Sequence, residues 1–333
     1  KKRILLPQPI EAEAMDFLKK SGCEVVLSSD PKPETVAPLM KGIHGIILRT
    51  GIKMTRELMS QAGDLWVISR TGAGVDNVDV QAATEMGILV TCVPGANTLT
   101  VVEHTLTLIL TLMKQIPLMD REVRRDNFAI RFKNMPRDLN GKVLGVVGLG
   151  RIGSKLAGLC HQAFGMRILA NDPYLTIEAQ APFKSWVEFC DMETLFRKSD
   201  VISLHIPLLP DTQKLIGLKE LGWMKSDAFL INTSRGGILD EAALVECLKE
   251  RRIAGAGLDV FAQEPLEKDN PLKDLDNVIL TPHTAALTRE CVTRLAVEAA
   301  RAAIDVLNGK RPSEGIVNPE VLAQPRWQGF LSF

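Results

Sequence analysis

The chain has 333 residues, 46% of them hydrophobic and 24% charged, with 40 lysines and arginines balanced by 40 aspartates and glutamates. That length suits two domains of ordinary size, and zero formal net charge without a basic cluster excludes long-range attraction to nucleic acid or an anionic membrane surface. The longest apolar stretch, Leu106 to Met113, is broken by threonines and too short for a bilayer, and the proline soon after the basic start "KKRILLPQP" argues against a secretory signal.

In chain order, "RILLP" predicts a strand and "EAEAMDFLKKSG" a helix closed by a glycine C-cap. "EVVLSS", "GIILR" and "LWVISR" repeat the strand pattern, "TRELMSQAG" and "VDVQAATEMG" repeat the helix, and "ILVTCVP" ends the series. Strands alternating with helices of this length require parallel crossovers, hence an open α/β sheet. Next, "TLTVVEHTLTLILTLMKQI" predicts one long helix, apolar around most of its circumference, which should be covered on all sides, between domains or between subunits. After "DLNGK" a second α/β series runs through "VLGVVGLG", "RILAND", "VISLHIP", "AFLINTS", "IAGAGLDV" and "NVILTPH", whose near-continuous apolar strands suit a parallel sheet covered on both faces. "TRECVTRLAVEAARAAIDVLNG" predicts an amphipathic helix before an extended, Pro-containing tail. The six cysteines (Cys23, Cys92, Cys160, Cys190, Cys247, Cys291) show no C-x-x-C spacing and read as reduced thiols of a cytoplasmic protein, with no disulfide frame and no metal site.

In "VLGVVGLGRIGSKLAG" three glycines, Gly148, Gly150 and Gly153, have the G-x-G-x-x-G spacing. Alone the spacing is weak, but here a strand precedes it, a helix follows, and an acid, Asp172, lies about 20 residues on. Gly148 permits a tight turn, Gly150 lets a pyrophosphate approach the backbone, and Gly153 lets helix and strand pack closely. Asp172 suits the ribose hydroxyls of NAD and would repel a 2′-phosphate; Pro173 and Tyr174 follow it rather than an arginine, which favours NAD over NADP. The blander reading is a Gly-rich packing turn with a surface aspartate.

Three residues near strand ends of the second series draw attention: Arg235 in "FLINTSRGG", Glu264 in "GLDVFAQE" and His283 in "VILTPH". Ligands of open parallel sheets bind beyond the carboxyl ends of the strands. A histidine suits proton transfer to a carbonyl near neutral pH, a carboxylate beside it favours the imidazolium, and an arginine clamps a substrate carboxylate bidentately. Singly, each has a structural use: a cap, a turn acid, a bridge to a neighbouring helix. His44 and His161 read as structural, His104 lies on the interdomain helix within possible reach of a cleft, and His205 reads as shaping the pocket. Arg49 and Arg70, at strand ends of the first domain, suit either a structural pairing or a second anionic group on the substrate.

The ordered set "RTGAGVDNVD", "PGANTLTVVEHT", "GLGRIG", "HIPLLPDT", "NTSRGGILDE", "GLDVFAQEPL" and "TPHTAA" resembles the D-isomer-specific 2-hydroxyacid dehydrogenase family over nearly the whole chain, closest in motif to its 3-phosphoglycerate dehydrogenase and hydroxypyruvate reductase branches. The resemblance implies a flavodoxin-like substrate domain of residues 1–98 and 287–333 and an inserted Rossmann NAD-binding domain of residues 99–286, closing about a cleft that excludes water. It implies interconversion of a small 2-keto acid and its D-2-hydroxy acid, with His283 as acid/base, Glu264 as its partner and Arg235 as carboxylate anchor. Cofactor contacts are implied at Arg151, Ile152, Asp172, Ile206, Thr233 and Asp259, the last holding the nicotinamide carboxamide. Backbone N–H groups from Ala73, Gly74 and Val75 would meet the substrate carboxylate, although phosphoglycerate-specific members commonly have a hydrogen-bonding side chain where this chain has Ala73. Family members are typically homodimers built around the cofactor domain and the helix of residues 99–117. A serine-sensing regulatory domain is not expected.

Two other readings compete. Formate dehydrogenases resemble this fold but pair the histidine with glutamine, against which Glu264 speaks. An NAD-sensing scaffold, like the co-repressors that resemble these enzymes, would not need all three catalytic groups.

Overall fold

Short apolar runs build the first sheet: β1 (Arg3–Leu6), β2 (Glu24–Leu27), β3 (Gly45–Leu48), β4 (Val67–Arg70) and β5 (Leu89–Thr91). All pair in parallel, in the order β2-β1-β3-β4-β5, the flavodoxin-like arrangement. The inner strand β3 is buried at every position, as a strand covered on both faces must be, whereas the edge strand β2 exposes Glu24 and Leu27. The structure, a computed structural model, describes residues 1–330 and divides into two compact units, residues 1–97 with the segment from residue 287 onward, and residues 98–286.

In the first unit the helix Arg289–Leu307 is started by Thr288, whose side chain accepts the Cys291 N–H, and it buries Ala296, Ala299, Ala300 and Ala303. These small side chains allow close approach to the sheet, where the buried Ser69 hydroxyl donates to the Ala299 carbonyl at 2.8 Å. Buried Asn318 then holds the tail against β5, accepting the Val90 N–H at 2.8 Å and donating to the Ile88 carbonyl at 3.0 Å.

The second unit holds β6 (Val143–Val147), β7 (Arg167–Asn171), β8 (Val187–Phe189), β9 (Val201–Leu204), β10 (Phe229–Asn232), β11 (Gly255–Leu258) and β12 (Val278–Leu280). They pair in parallel as β12-β11-β10-β9-β6-β7-β8, so the winding reverses between β6 and β9, as in the Rossmann fold. β8 has no counterpart in the sequence reading: it is a three-residue edge strand, too short for a run or a period to stand out.

The long apolar helix spans Thr98–Met113 and buries Val101, Val102, Thr105, Leu108, Ile109, Leu112 and Met113. Gly257 of β11 admits it, since a Cβ there would lie 3.1 Å from Leu108 Cβ. Coverage within the chain is incomplete, however: Leu99, Glu103 and Thr107 remain exposed. The helix also stops short of residue 117. Pro117 cannot donate to the Met113 carbonyl; Gln115 turns left-handed at φ 52°, a new helix runs over Ile116–Val123, and the Met113 carbonyl accepts Arg137 N–H at 2.9 Å instead.

Candidate active site

At the β6–helix turn, the three glycines meet three different steric demands. Gly148 has φ 90°, and a Cβ there would lie 2.7 Å from both the His205 carbonyl oxygen and Ile206 Cγ2. Gly153 packs so tightly that its Cβ would stand 2.1 Å from the Gly148 carbonyl oxygen. Gly150, the N-cap of the helix Arg151–Phe164, has nothing within 4 Å of that position. The first helical N–H groups therefore open onto unobstructed space beside exposed Arg151 and half-buried Ile152.

Asp172, one residue past β7, closes this turn: Oδ2 accepts the Leu149 N–H at 2.8 Å and Oδ1 the Tyr174 N–H at 3.1 Å. Each oxygen keeps an acceptor lone pair for a hydroxyl. An open pocket continues from Asp172 along Ala170, Pro173, Gln180, Phe189 and Cys190. A helix start approachable by an anion, a carboxylate with spare acceptors and an adjoining open pocket fit an adenine dinucleotide.

Beyond β10, buried Asn232 shapes the segment that presents Arg235. Its Oδ1 accepts the Ser234 N–H (3.0 Å) and hydroxyl (2.8 Å), and its Nδ2 donates to the Arg235 carbonyl at 2.9 Å. The glycine after the arginine is required by packing: a Cβ on Gly236 would lie 1.9 Å from the Phe261 carbonyl carbon. The Arg235 loop thus lies directly on the segment that leads to Glu264.

Glu264 Oε2 lies 2.7 Å from His283 Nδ1, while its Oε1 accepts the Phe261 N–H at 3.0 Å. The sequence separates this pair by 19 residues and the fold joins them. The Glu264 hydrogen bond raises the His283 pKa above 6.5, the largest influence, against partial burial and the Arg235 charge, which lower it; the Glu264 and Asp259 charges raise it further. For Glu264, burial pushes the pKa up, but the His283 and Phe261 hydrogen bonds and the His283 and Arg235 charges outweigh it, and the net shift is downward. The favoured state is therefore imidazolium beside carboxylate. With Nδ1 on Glu264, Nε2 is the nitrogen left for a ligand.

His283 is held at φ 53°, a left-handed conformation costing a non-glycine residue about 1–3 kcal/mol. Its N–H meets the Asp259 carbonyl at 2.8 Å and the Thr281 carbonyl at 3.0 Å. The Asp259 side chain is fully buried and accepts from the Thr281 hydroxyl (2.5 Å), Thr284 N–H (2.8 Å) and Ala285 N–H (2.9 Å). These bonds make its carboxylate an anchor for the loop that carries His283. Thr233 is likewise turned inward, its hydroxyl 2.8 Å from that of Thr105.

The other candidates fall in varied places. His44 Nδ1 accepts the Arg3 N–H at 3.1 Å, and His161 stacks on Trp186. His205 contacts the Ser203 hydroxyl at 2.8 Å, and burial lowers its pKa to about 4, so it stays neutral near pH 7. Arg49 is paired with Glu11 at 3.1 Å, and Arg70 donates to the Thr71 carbonyl at 2.6 Å. In the first unit, exposed Ala73 and half-buried Gly74 and Val75 lie in a loop fixed by Asn77, whose Nδ2 donates to the Arg49 (2.8 Å) and Ile52 (2.9 Å) carbonyls. The sequence reading passed over Asn77, Asn232 and Gly236. The signal for Asn232 was a side-chain amide ending an apolar run, where strand-end backbone groups need partners; Asn77, seven residues beyond β4, carried none.

Fold and site together define a class: a dinucleotide-binding α/β protein with an imidazolium–carboxylate pair beside a guanidinium. Comparison with known proteins narrows it. The model of the D-isomer specific 2-hydroxyacid dehydrogenase NAD-binding domain matches residues 106–285. The D-3-phosphoglycerate dehydrogenase of Archaeoglobus fulgidus is 39% identical over 307 residues, 92% of this chain and 58% of that protein. Its counterpart from Methanocaldococcus jannaschii is 40% identical over 326 residues, 97% of this chain and 61% of that protein. The chain therefore spans about three-fifths of the length of these curated relatives. A solved D-lactate dehydrogenase from Aquifex aeolicus, in complex with NAD and lactic acid, matches with a TM-score of 0.82 at 30% identity, over 92% of this chain and 96% of that one. The chain belongs to the D-isomer specific 2-hydroxyacid dehydrogenase family and carries its NAD-binding domain. Among the described residues, no helix is long and apolar enough to cross a membrane.

Proposed function

We propose that this protein is an NAD-dependent dehydrogenase interconverting a small 2-keto acid and its D-2-hydroxy acid. The observation that carries the reading is the 2.7 Å contact of His283 Nδ1 with Glu264, which favours the protonated imidazole and leaves its Nε2 available. In reduction His283 gives the Nε2 proton to the carbonyl oxygen; in oxidation the neutral ring takes the hydroxyl proton back. The dinucleotide, when bound, supplies or accepts the hydride. Arg235 anchors the substrate carboxylate through two parallel N–H donors, and the family resemblance adds the N–H groups of Ala73, Gly74 and Val75. Gly148, Gly150 and Gly153 with Arg151 and Ile152 receive the pyrophosphate, Asp172 the ribose hydroxyls, and Ile206 and Thr233 flank the cofactor. Asp259 serves through its loop. Cysteines that are unbonded to one another support a cytoplasmic setting, and exposed apolar side chains in residues 116–135 support a homodimer.

The test is oxidation of NADH with glyoxylate, hydroxypyruvate, pyruvate, longer 2-keto acids and phosphohydroxypyruvate, the last because the relatives named above are D-3-phosphoglycerate dehydrogenases. Saturable turnover with at least one acid is expected, reduced about 10²–10⁴-fold by His283→Ala. Binding of NADH without turnover of any acid would replace this reading with an NAD-sensing scaffold.

A further inference from the structure

The helix Thr98–Met113 brings a second imidazole to the loop that carries His283. His104 Nε2 lies 2.9 Å from Thr281 Oγ1 and 3.5 Å from Asp259 Oδ1. Protons on these groups can be counted. Thr281 has one hydroxyl hydrogen, and Asp259 at 2.5 Å, a carboxylate with acceptors only, takes it. Thr281 must then accept from His104, so His104 carries its proton on Nε2 and directs it toward the buried carboxylate. Asp259 in turn accepts the Thr284 and Ala285 N–H groups, and its main-chain carbonyl accepts the His283 N–H at 2.8 Å. A continuous chain of hydrogen bonds thus runs from His104 through Thr281 and Asp259 to the backbone that holds His283 left-handed at φ 53°.

We infer that His104 is a positioning residue for the reaction proposed above, its Nε2–H donor fixing the Thr281–Asp259 pair and through it the placement of the His283 imidazole against Glu264. The role is a donor's: what counts is an N–H directed at Thr281 Oγ1. Arg235, Glu264 and Asp259 are the charged groups acting on His283 itself, and they are unchanged when His104 is replaced. Without the donor the loop relaxes and the His283–Glu264 contact is populated less.

The test compares His104→Leu, which removes the donor, with His104→Gln, whose amide restores one, and Thr281→Val, which breaks the chain one link on. Two readouts are taken on the 333-residue chain. In the first, the His283 imidazole is followed by NMR titration of histidine-labelled protein, which needs no turnover and has five ring systems to resolve. The His283 midpoint should fall toward the ordinary histidine value of about 6.5 in His104→Leu and Thr281→Val, and stay at its wild-type position in His104→Gln. In the second, kcat with the best keto acid should drop about tenfold to a hundredfold in the first two variants, the scale of a displaced catalytic group. NADH affinity should be unchanged in both, and His104→Gln should recover most of the rate. An unmoved His283 midpoint in His104→Leu overturns the inference. So does a uniform loss of NADH affinity, rate and melting temperature that His104→Gln does not relieve, which marks a merely structural residue. A shifted midpoint in a protein that turns over no keto acid leaves the positioning intact and removes the proposed reaction.

Discussion

At Glu264 the carboxylate meets two donors, the His283 ring at 2.7 Å and the Phe261 N–H at 3.0 Å, so its orientation is fixed from both sides. Glu264→Gln keeps one acceptor for Nδ1–H, removes the charge, and turns an NH2 toward the Phe261 N–H. His283 has a folded pKa raised above 6.5, so in the proposed reaction the reductive rate, which needs the imidazolium, should be full at low pH and lost as pH rises through the folded pKa. The glutamine variant should move this limb down in pH and cut the reductive rate at pH 8 by about tenfold or more; a pH profile of kcat/KM checks it, and an unmoved limb would assign it to another group. The same sign holds for stability: the paired imidazolium contributes below the unfolded pKa and its contribution fades as pH climbs through the folded one. At 46% and 35% side-chain exposure that contribution is screened and small. Asp172 makes a second residue-scale case. Its two oxygens already hold Leu149 and Tyr174, so Asp172→Ala removes both the proposed ribose acceptor and a brace of the turn. NADH affinity should weaken and the kcat/KM ratio of NADH to NADPH should fall about tenfold or more; an unchanged ratio would contradict the ribose assignment.

Two glycines at the starts of elements separate packing from binding. Gly236→Ala would push a methyl to 1.9 Å from the Phe261 backbone, which cannot yield without shifting the segment that carries Glu264. A loss of stability of about 1–3 kcal/mol is expected together with a loss of turnover. Gly150→Ala places its methyl in open space at φ −69°, a conformation alanine tolerates. It should melt within about 0.5 kcal/mol of wild type and yet raise the KM for NADH, because the methyl would occupy the proposed pyrophosphate approach. Thermal melts beside NADH titrations distinguish the two; equal behaviour would refute the steric argument. These elements also show what the sequence makes legible. The strands of both sheets stand out because buried parallel strands are unbroken apolar runs, and the dinucleotide turn stands out because each glycine answers a steric need at a fixed spacing. β8 does not, since three residues carry neither run nor period. The helix end at Met113 was written in Pro117, but the continuous apolar pattern across it masked the break. Asp259 shows a different limit. Its place at the end of β11 is readable, whereas its full burial depends on where the Thr281–Ala285 loop folds back, which no local pattern records.

At the scale of the whole molecule, residues 116–135 present an apolar surface. Two short helices there, Ile116–Val123 and Ile130–Lys133, leave Phe128 62%, Phe132 67% and Met135 68% exposed within a short span of chain, with Ile116 and Val123 about half exposed. The Arg131 guanidinium lies 4.7 and 4.6 Å from the Phe128 and Phe132 ring centroids, so its charge partly shields them without removing their apolar faces from water. Single exposed apolar residues are ordinary in a monomer, but a run of aromatic and long aliphatic side chains marks a surface that another molecule covers. The homodimer proposed above would cover it through a two-fold, self-complementary contact. Sedimentation equilibrium at micromolar concentration should give a mass twice that of the 36.6 kDa chain. The double variant Phe128→Glu, Phe132→Glu should give the single-chain mass, since burying two carboxylates from each copy at the contact costs far more than it gains. A monomeric wild-type protein, or a double variant that still sediments as a dimer, would show that this surface is not where two copies meet.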